Sequence, residues 1–159
     1  MATFEREIFI AFQDYLPTAF FRRIYDMRHT PQKPFDFELF HRGFFFAIEA
    51  KHQKSHLDFR RIKPHQLEHL HRVEENGGFS FFLIRIEDAK KVHDKFRAFI
   101  ISLSRMEQMM EEIPKVSCNA GDLEKWAEVE STRIRLPSKK YCWDFPAFFE
   151  KFVSTGGPE

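Results

Sequence analysis

Apolar positions along this chain change their period several times, and each change marks an element. Phe4, Ile8, Ala11, Phe12 and Tyr15 recur at helical spacing, Thr3 can cap the first turn, and Pro17 stops the run. That pattern predicts a helix from about Phe4 to Leu16. Residues 19 to 26, AFFRRIYD, read as a strand and lead into a polar, proline-bearing loop, MRHTPQKP. FDFELFHRGFFFAIEAK, residues 35 to 51, reads as two strands folded about His41-Arg42-Gly43. Pro64 stands where a helix should begin, and HQLEHLHRVEEN runs to Gly77-Gly78, an ordinary helix stop. FSFFLIRIE predicts a strand and RAFIISL another, although DAKKVHDKFRAFIISLSRM also has the makeup of one long helix. SRMEQMMEEI predicts a short helix capped by Ser104 and ended by Pro114. A helix near 122 to 130, a strand near 132 to 136 and a last helix from about Asp144 complete the pattern. Interleaved strands and helices indicate an α/β class, with a small mixed central sheet flanked by helices. No repeat, linker or low-complexity tract divides the 159 residues, so a single domain over 1–159 is expected.

Composition adds one unusual feature, 21 phenylalanines, which points to a core or an interface built on rings. Tyr141, Trp143, Phe145, Phe148, Phe149 and Phe152 are expected to dock the last helix onto the sheet. Met106, Met109, Met110 and Ile113 form a second apolar set, for the core or a dimer seam. No apolar run approaches the roughly 20 residues of a membrane span. MATFEREIF is charged at once and lacks a secretory segment, which points to a cytoplasmic protein without membrane contact. Cys118 and Cys142 lack metal-type spacing and are expected to be free thiols.

Net charge is only +1, but it is unevenly spread. Between Arg22 and Arg72 there are 11 Lys and Arg against 6 Asp and Glu, and seven of the eight histidines lie there. Such a segment can present a cationic face to an anionic polymer. Solvated surface charge with compensating acids explains the same counts.

The charged residues of 35 to 51 carry more chemistry. Alternation along a strand puts Glu49 and Lys51 on one face and Phe46, Ile48 and Ala50 on the other. A two-residue loop at Arg42-Gly43 would set Asp36 directly opposite Glu49, with Cβ atoms ~5 Å apart. A slip of one residue would send one partner to the opposite face. Carboxylates that close repel each other unless a cation lies between them, and hard oxygens so arranged suit Mg²⁺, with Mn²⁺ a possible substitute. Lys51 beside them could orient a nucleophile or stabilise developing charge, a coherent apparatus for phosphodiester hydrolysis. HQLEH, residues 65 to 69, also fits an inverted zinc-peptidase pattern, with His65 and His69 on one helix face. That reading needs a third ligand downstream, and none of Glu124, Glu128 or Glu130 stands out.

The segment from Phe35 to Ile86 resembles RecU-type Holliday junction resolvases, members of the PD-(D/E)xK nuclease superfamily. The matching features are Asp36-Phe37, Gly43, Glu49-Ala50-Lys51, His65-Gln66, His69-Leu70, Gly77-Gly78 and the aromatic strand after them. Archaeal resolvases of that superfamily are similar in their acid, their E-x-K and an early Glu-Arg, here Glu5-Arg6. The resemblance implies a restriction-endonuclease-like core and a metal-dependent endonuclease acting as a homodimer on branched DNA. Each subunit would nick one of two opposed strands and leave a 5′-phosphate. It also implies that Asp36 and Glu49 bind Mg²⁺, that Lys51 serves catalysis, and that Glu5 completes the metal or water environment. Gln66, at a helix start, would help position the site or the backbone phosphate.

The chain departs from the family in two places. Phe35, not proline, precedes Asp36, the nearest proline being Pro34, and only 30 residues separate Glu5 from Asp36. The family's longer segment there includes a stalk that enters the junction, so a full stalk is not expected. Arg22, Arg23, Arg28, Lys33, Lys54, Arg60, Arg61 and Lys63, with Arg72 beyond them, surround the site in sequence. They are the candidates for salt-dependent phosphate contact. Two alternatives share these residues: another nuclease of the superfamily, for restriction, repair or mismatch nicking, and a catalytically silent DNA-binding module.

Overall fold

The computed structural model describes residues 3–26, 32–88, 90–93, 95–136 and 141–158. Its helices are α1 (Thr3–Tyr15), α2 (Pro64–Glu75), α3 (Leu103–Glu112), α4 (Ala120–Trp126) and α5 (Phe145–Ser154), with a 3₁₀ turn at Phe59–Arg61. The strands are β1 (Phe20–Arg23), β2 (Phe37–His41), β3 (Phe44–Lys54), β4 (Leu57–Asp58), β5 (Phe79–Glu87), β6 (Phe96–Ser102), β7 (Ser117–Cys118), β8 (Val129–Ser131), β9 (Arg133–Arg135) and β10 (Tyr141–Trp143).

Six strands form one mixed sheet in the order β1-β2-β3-β5-β6-β8. Among the described strands only β3 and β5 run parallel, joined by a crossover that carries α2. Alternation along the strands divides the core in two. Phe37, Leu39, Phe46, Ile48, Phe81, Leu83, Ala98 and Ile100 meet α1 and α5 through Phe4, Ile8, Phe12, Phe145, Phe149 and Val153. On the other face Ala47, Phe82, Ile84, Ile86, Phe99 and Ile101 are covered by Leu70 of α2, Met106 and Met109 of α3 and Leu123 of α4. The methionines therefore belong to the core.

Much of the first layer is a lattice of rings. Phe46 lies edge-on to Phe149 at 5.0 Å and to Phe152 at 5.3 Å between ring centroids. Full burial of a side chain of this size contributes about 1.5–3 kcal/mol. The last helix docks as expected, although Tyr141 is exposed and Phe148 and Phe152 are only partly covered.

The β2–β3 hairpin turns on two residues, Arg42 at φ 47° and Gly43 at φ 83°. Two positive φ angles in succession match the right-handed twist of the paired strands. Phe37 consequently faces Ile48 and His41 faces Phe44, the register expected from a loop of that length. His41 Nε2 lies 2.5 Å from Glu150 Oε2, which ties the hairpin tip to α5.

Several local expectations need correction. Ser102, not Ser104, caps α3, its Oγ accepting from the Arg105 N–H at 3.4 Å. The helix read over 122 to 130 ends at Trp126, because Val129–Ser131 pairs with β6 as an edge strand. Residues 96 to 102 pair with β5 as a strand, which removes the long-helix alternative. Arg133–Arg135 is a strand, but its partner β10 carried no visible pattern. Cys118 and Cys142 are free and buried, and burial pushes their thiols up to about 12 and about 11. No described helix is long and apolar enough to cross a membrane.

At the end of α2, Gly77 takes φ 87° and the Gly78 N–H returns to the Val73 carbonyl at 2.9 Å. A Cβ on Gly78 would lie 2.6 Å from Val73 Cγ1 and 3.0 Å from Phe45 Cδ1, so glycine lets the helix close onto the hairpin. Gly78→Ala is expected to destabilise the fold by roughly 1–3 kcal/mol through this overpacking. A lower urea midpoint at unchanged slope is the expected signature, and an unaltered midpoint would refute it.

Candidate active site

Asp36 stands one residue before β2, and strand pairing continues through it. Its N–H donates to the Ile48 carbonyl at 3.0 Å, and its Oδ2 accepts from the Ala50 N–H at 2.8 Å. These two bonds fix the carboxylate over β3, on the face that carries Glu49. Both acids are withdrawn from water, with 3% of Asp36 and 2% of Glu49 exposed. Glu49 Oε1 accepts from Gln66 Nε2 at 2.8 Å and lies 3.2 Å from Lys51 Nζ. Its Oε2 is buried with no hydrogen-bond partner among the described residues. Burial, and then the charge of Asp36, push the Glu49 carboxyl from 4.5 up to about 8, outweighing the opposing pull of Lys51 and Lys33.

Lys51 lies on the same face. Besides Glu49, its ammonium donates to the Arg61 carbonyl at 2.9 Å and to Gln66 Oε1 at 3.1 Å, so three acceptors hold it. Gln66 sits in the first turn of α2, just after Pro64. Its Oε1 also accepts from the Lys63 N–H at 3.0 Å. One amide thus links the start of a helix to both ionisable groups at the end of β3. Gln66 contacts Glu49 and Lys51 directly.

Lys33 enters the site from the connection between β1 and β2. Its Nζ lies 2.7 Å from Asp36 Oδ1. Burial alone would lower its pKa, but the hydrogen bond and charge of Asp36, with Glu5 and Asp26 farther off, raise it above the ordinary lysine value. Sequence reasoning grouped Lys33 with the phosphate-contacting residues and missed this bond. The available signal was the three-residue spacing to Asp36 across Pro34. Glu5, by contrast, is not gathered onto the acid pair. It pairs with Arg23 of β1 and reaches the site only through the field felt by Lys33. Among the described residues no cluster of three or more His, Cys, Asp or Glu could hold a metal ion, around Asp36 or around His65 and His69.

The basic residues sort by partner. Arg22 pairs with Glu38, Arg60 with Asp58 and Arg72 with Glu68, all three cations being exposed. Arg23 is largely buried, against Glu5 and over the ring of Tyr25. Lys54, Arg61 and Lys63 are exposed and enter no ion pair among the described residues. These three lie between the end of β3 and the start of α2, next to Lys51. Arg28 lies outside the described residues.

Chemically the arrangement offers two carboxylates with oxygens free or exchangeable for a hard cation, an ammonium fixed beside them, and exposed positive charge at the rim. Comparison with known proteins gives this geometry a context. The chain is 42% identical over 50 residues to a Holliday junction resolvase RecU from Ureaplasma parvum, a match covering 31% of this chain and 29% of that protein. It is 36% identical over 59 residues to one from Shouchella clausii, covering 36% of this chain and 28% of the relative. The matched stretches thus span less than a third of each curated relative. Among solved structures, the Archaeoglobus fulgidus Hjc, described as a Holliday junction resolvase, superposes with a TM-score of 0.51. That likeness covers 79% of this chain and 93% of the archaeal one and, at 17% identity, establishes a shared fold. The model of the RecU family, Recombination protein U, matches residues 21–134, from β1 into β9, and takes in Asp36, Glu49, Lys51 and Gln66. With more than half of its length matched in this way, the chain belongs to the Recombination protein U family.

Proposed function

We propose that this chain is a divalent-metal-dependent endonuclease that resolves four-way DNA junctions, working as a homodimer in which each subunit nicks one of two opposed strands. The observation that carries the reading is the buried Glu49 carboxylate, set beside Asp36 with one oxygen unpartnered and Lys51 alongside. Family membership and the resolvase relatives support the choice of substrate.

The donor set fits a hard cation. Glu49 Oε2 has no partner, and Asp36 Oδ1 is held by an ammonium, itself a cation that another could replace. Mg²⁺ commonly takes one or two protein carboxylates and leaves its remaining positions to water and phosphate oxygens, so two acids suffice. Mn²⁺ accepts the same donors. Bound there, the ion supplies Lewis-acid polarisation of a phosphoryl oxygen and acidifies a water molecule. Asp36 is oriented by the Ala50 N–H, and Glu49 by Gln66. Lys51, held by three acceptors, places a positive charge where the phosphate develops negative charge. Glu5, paired with Arg23, adds to the field at the site through Lys33. Lys54, Arg61 and Lys63 supply backbone phosphate contacts at the rim.

A second reading, a nuclease of the same superfamily that acts on linear duplex, draws support from the short β1–β2 connection, residues 24–36. Cutting of linear duplex as readily as four-way junctions would identify it.

A labelled four-way junction incubated with the protein should yield symmetric paired nicks with Mg²⁺ and none in chelator. Asp36→Asn should abolish cutting while junction binding persists; loss of both together would leave the acid a structural role only.

Stability should also depend on pH in a direction set by Glu49. In chelator, the folded carboxyl at about 8 against the ordinary 4.5 means that the folded state binds the extra proton between those values. Stability then falls as pH rises from about 5 to about 8, where only the unfolded chain has lost that proton, and levels off above, where both states have. Urea midpoints measured across this range should show the decline, Glu49→Gln should flatten it, and Mg²⁺ should restore the alkaline end.

Neutralising Lys54, Arg61 and Lys63 together to alanine should reduce the slope of log affinity against log salt by about 2–3, as expected for the loss of three phosphate contacts. An unchanged slope would place the DNA elsewhere.

A further inference from the structure

We infer that Lys33 is an internal counter-ion of the acid pair, which a divalent cation must displace from Asp36 and which is then freed to hold a DNA phosphate; this rests on the metal-site reading above. The argument is one of oxygen accounting. Asp36 Oδ2 already accepts from the Ala50 N–H at 2.8 Å, so Oδ1 is the oxygen that carries no backbone bond and the readier one for a cation. Lys33 Nζ occupies it at 2.7 Å. Glu49 offers Oε2, buried and without a partner, while its Oε1 is taken by Gln66 and Lys51. A cation shared by the two acids therefore needs the oxygen that Lys33 holds. Two cations at one oxygen repel, which favours departure of the one held by a single contact, Lys33.

Lys33 is suited to leave. Its side chain is 21% exposed against 4% for Asp36, and it comes from a connection rather than from a strand. A lysine is a point charge on a four-carbon stem with no fixed fork geometry, so it can change partners at small cost. Lys51 cannot substitute for it, because its three donors are engaged with Glu49, Gln66 and the Arg61 carbonyl. A phosphate backbone brought to the metal competes for a released Lys33 with Glu5 and Asp26, the other acids whose field it feels. Metal and DNA are then linked through one side chain: each favours the arrangement that the other needs, and the coupling is reciprocal.

Calorimetric titration with Mn²⁺ alone tests the exchange without any turnover. Lys33→Met should bind Mn²⁺ about tenfold more tightly than the unsubstituted protein, within the 5–150-fold range of such couplings, and Lys33→Arg should remain near it. Junction binding by Lys33→Met should be weakened in Ca²⁺ yet unchanged in chelator. Affinity for Mn²⁺ that is equal to or weaker than that of the unsubstituted protein overturns the inference. Asp36→Asn separates the two levels. If it binds Mn²⁺ as well as the unsubstituted chain does, the metal site itself falls; if it loses the ion while Lys33→Met gains nothing, only the role of Lys33 falls. Should Lys33→Met fail to fold, the Lys33 side-chain methylene signals of the unsubstituted protein decide by NMR. A shift on Mg²⁺ addition supports displacement, and silence at saturation overturns it.

Discussion

Two carboxylates are held side by side in an interior where an isolated charge costs several kcal/mol and the charge of Asp36 makes Glu49 harder to ionise. Nothing local favours that arrangement; the surroundings impose it. The two-residue turn at Arg42-Gly43 sets the register, and the pairing of Asp36 with the Ile48 carbonyl carries it one step past the strand. Behind the acids stands a layer of interlocked rings, Phe37, Phe46, Phe81 and Phe149 among them, whose burial more than offsets a strained polar corner. Excess phenylalanine and a costly acid pair are thus two sides of one arrangement: an apolar layer rigid enough to keep like charges together.

The hairpin and its acids were legible in the chain because three local signals agreed. A loop of two residues, strict alternation on both sides, and glycine at a position with positive φ leave one register. Helix α2 was equally clear, from Pro64 at its start to paired glycines at its end. What escaped lay in pieces too short for a period to show, such as Leu57–Asp58, Ser117–Cys118 and Tyr141–Trp143. The short α4 was read two residues late at its start, where Asn119 and Asp122 cap each other's backbone N–H groups, and four late at its end. Its last turn gives way to an edge strand through tertiary contacts of Glu128 and Glu130, which no window of sequence contains.

Charge was the least legible property. The candidate phosphate-contacting cations look alike on paper, yet the fold gives the described ones different work. Arg23 is buried against Glu5, Lys33 against Asp36, and Arg22, Arg60 and Arg72 lean on acids at the surface. Exposed pairs of that kind contribute little stability, and their cations remain available to other anions. Lysine and arginine counts report how much positive charge exists; only the tertiary partner distinguishes a phosphate ligand from an internal counter-ion.

The parallel pairing of β3 with β5 has a consequence for the order of assembly. Asp36 and Glu49 belong to a hairpin, which closes locally, whereas Arg61, Lys63 and Gln66 all lie in the long crossover between the parallel strands. Closing that connection carries an entropic cost that short turns avoid, so it comes late. Until then the two acids lack the amide and ammonium that later hold them. Desolvation of the pair and arrival of the amide and ammonium that hold it are therefore a single event, and no half-folded stage has to bear the buried charge alone.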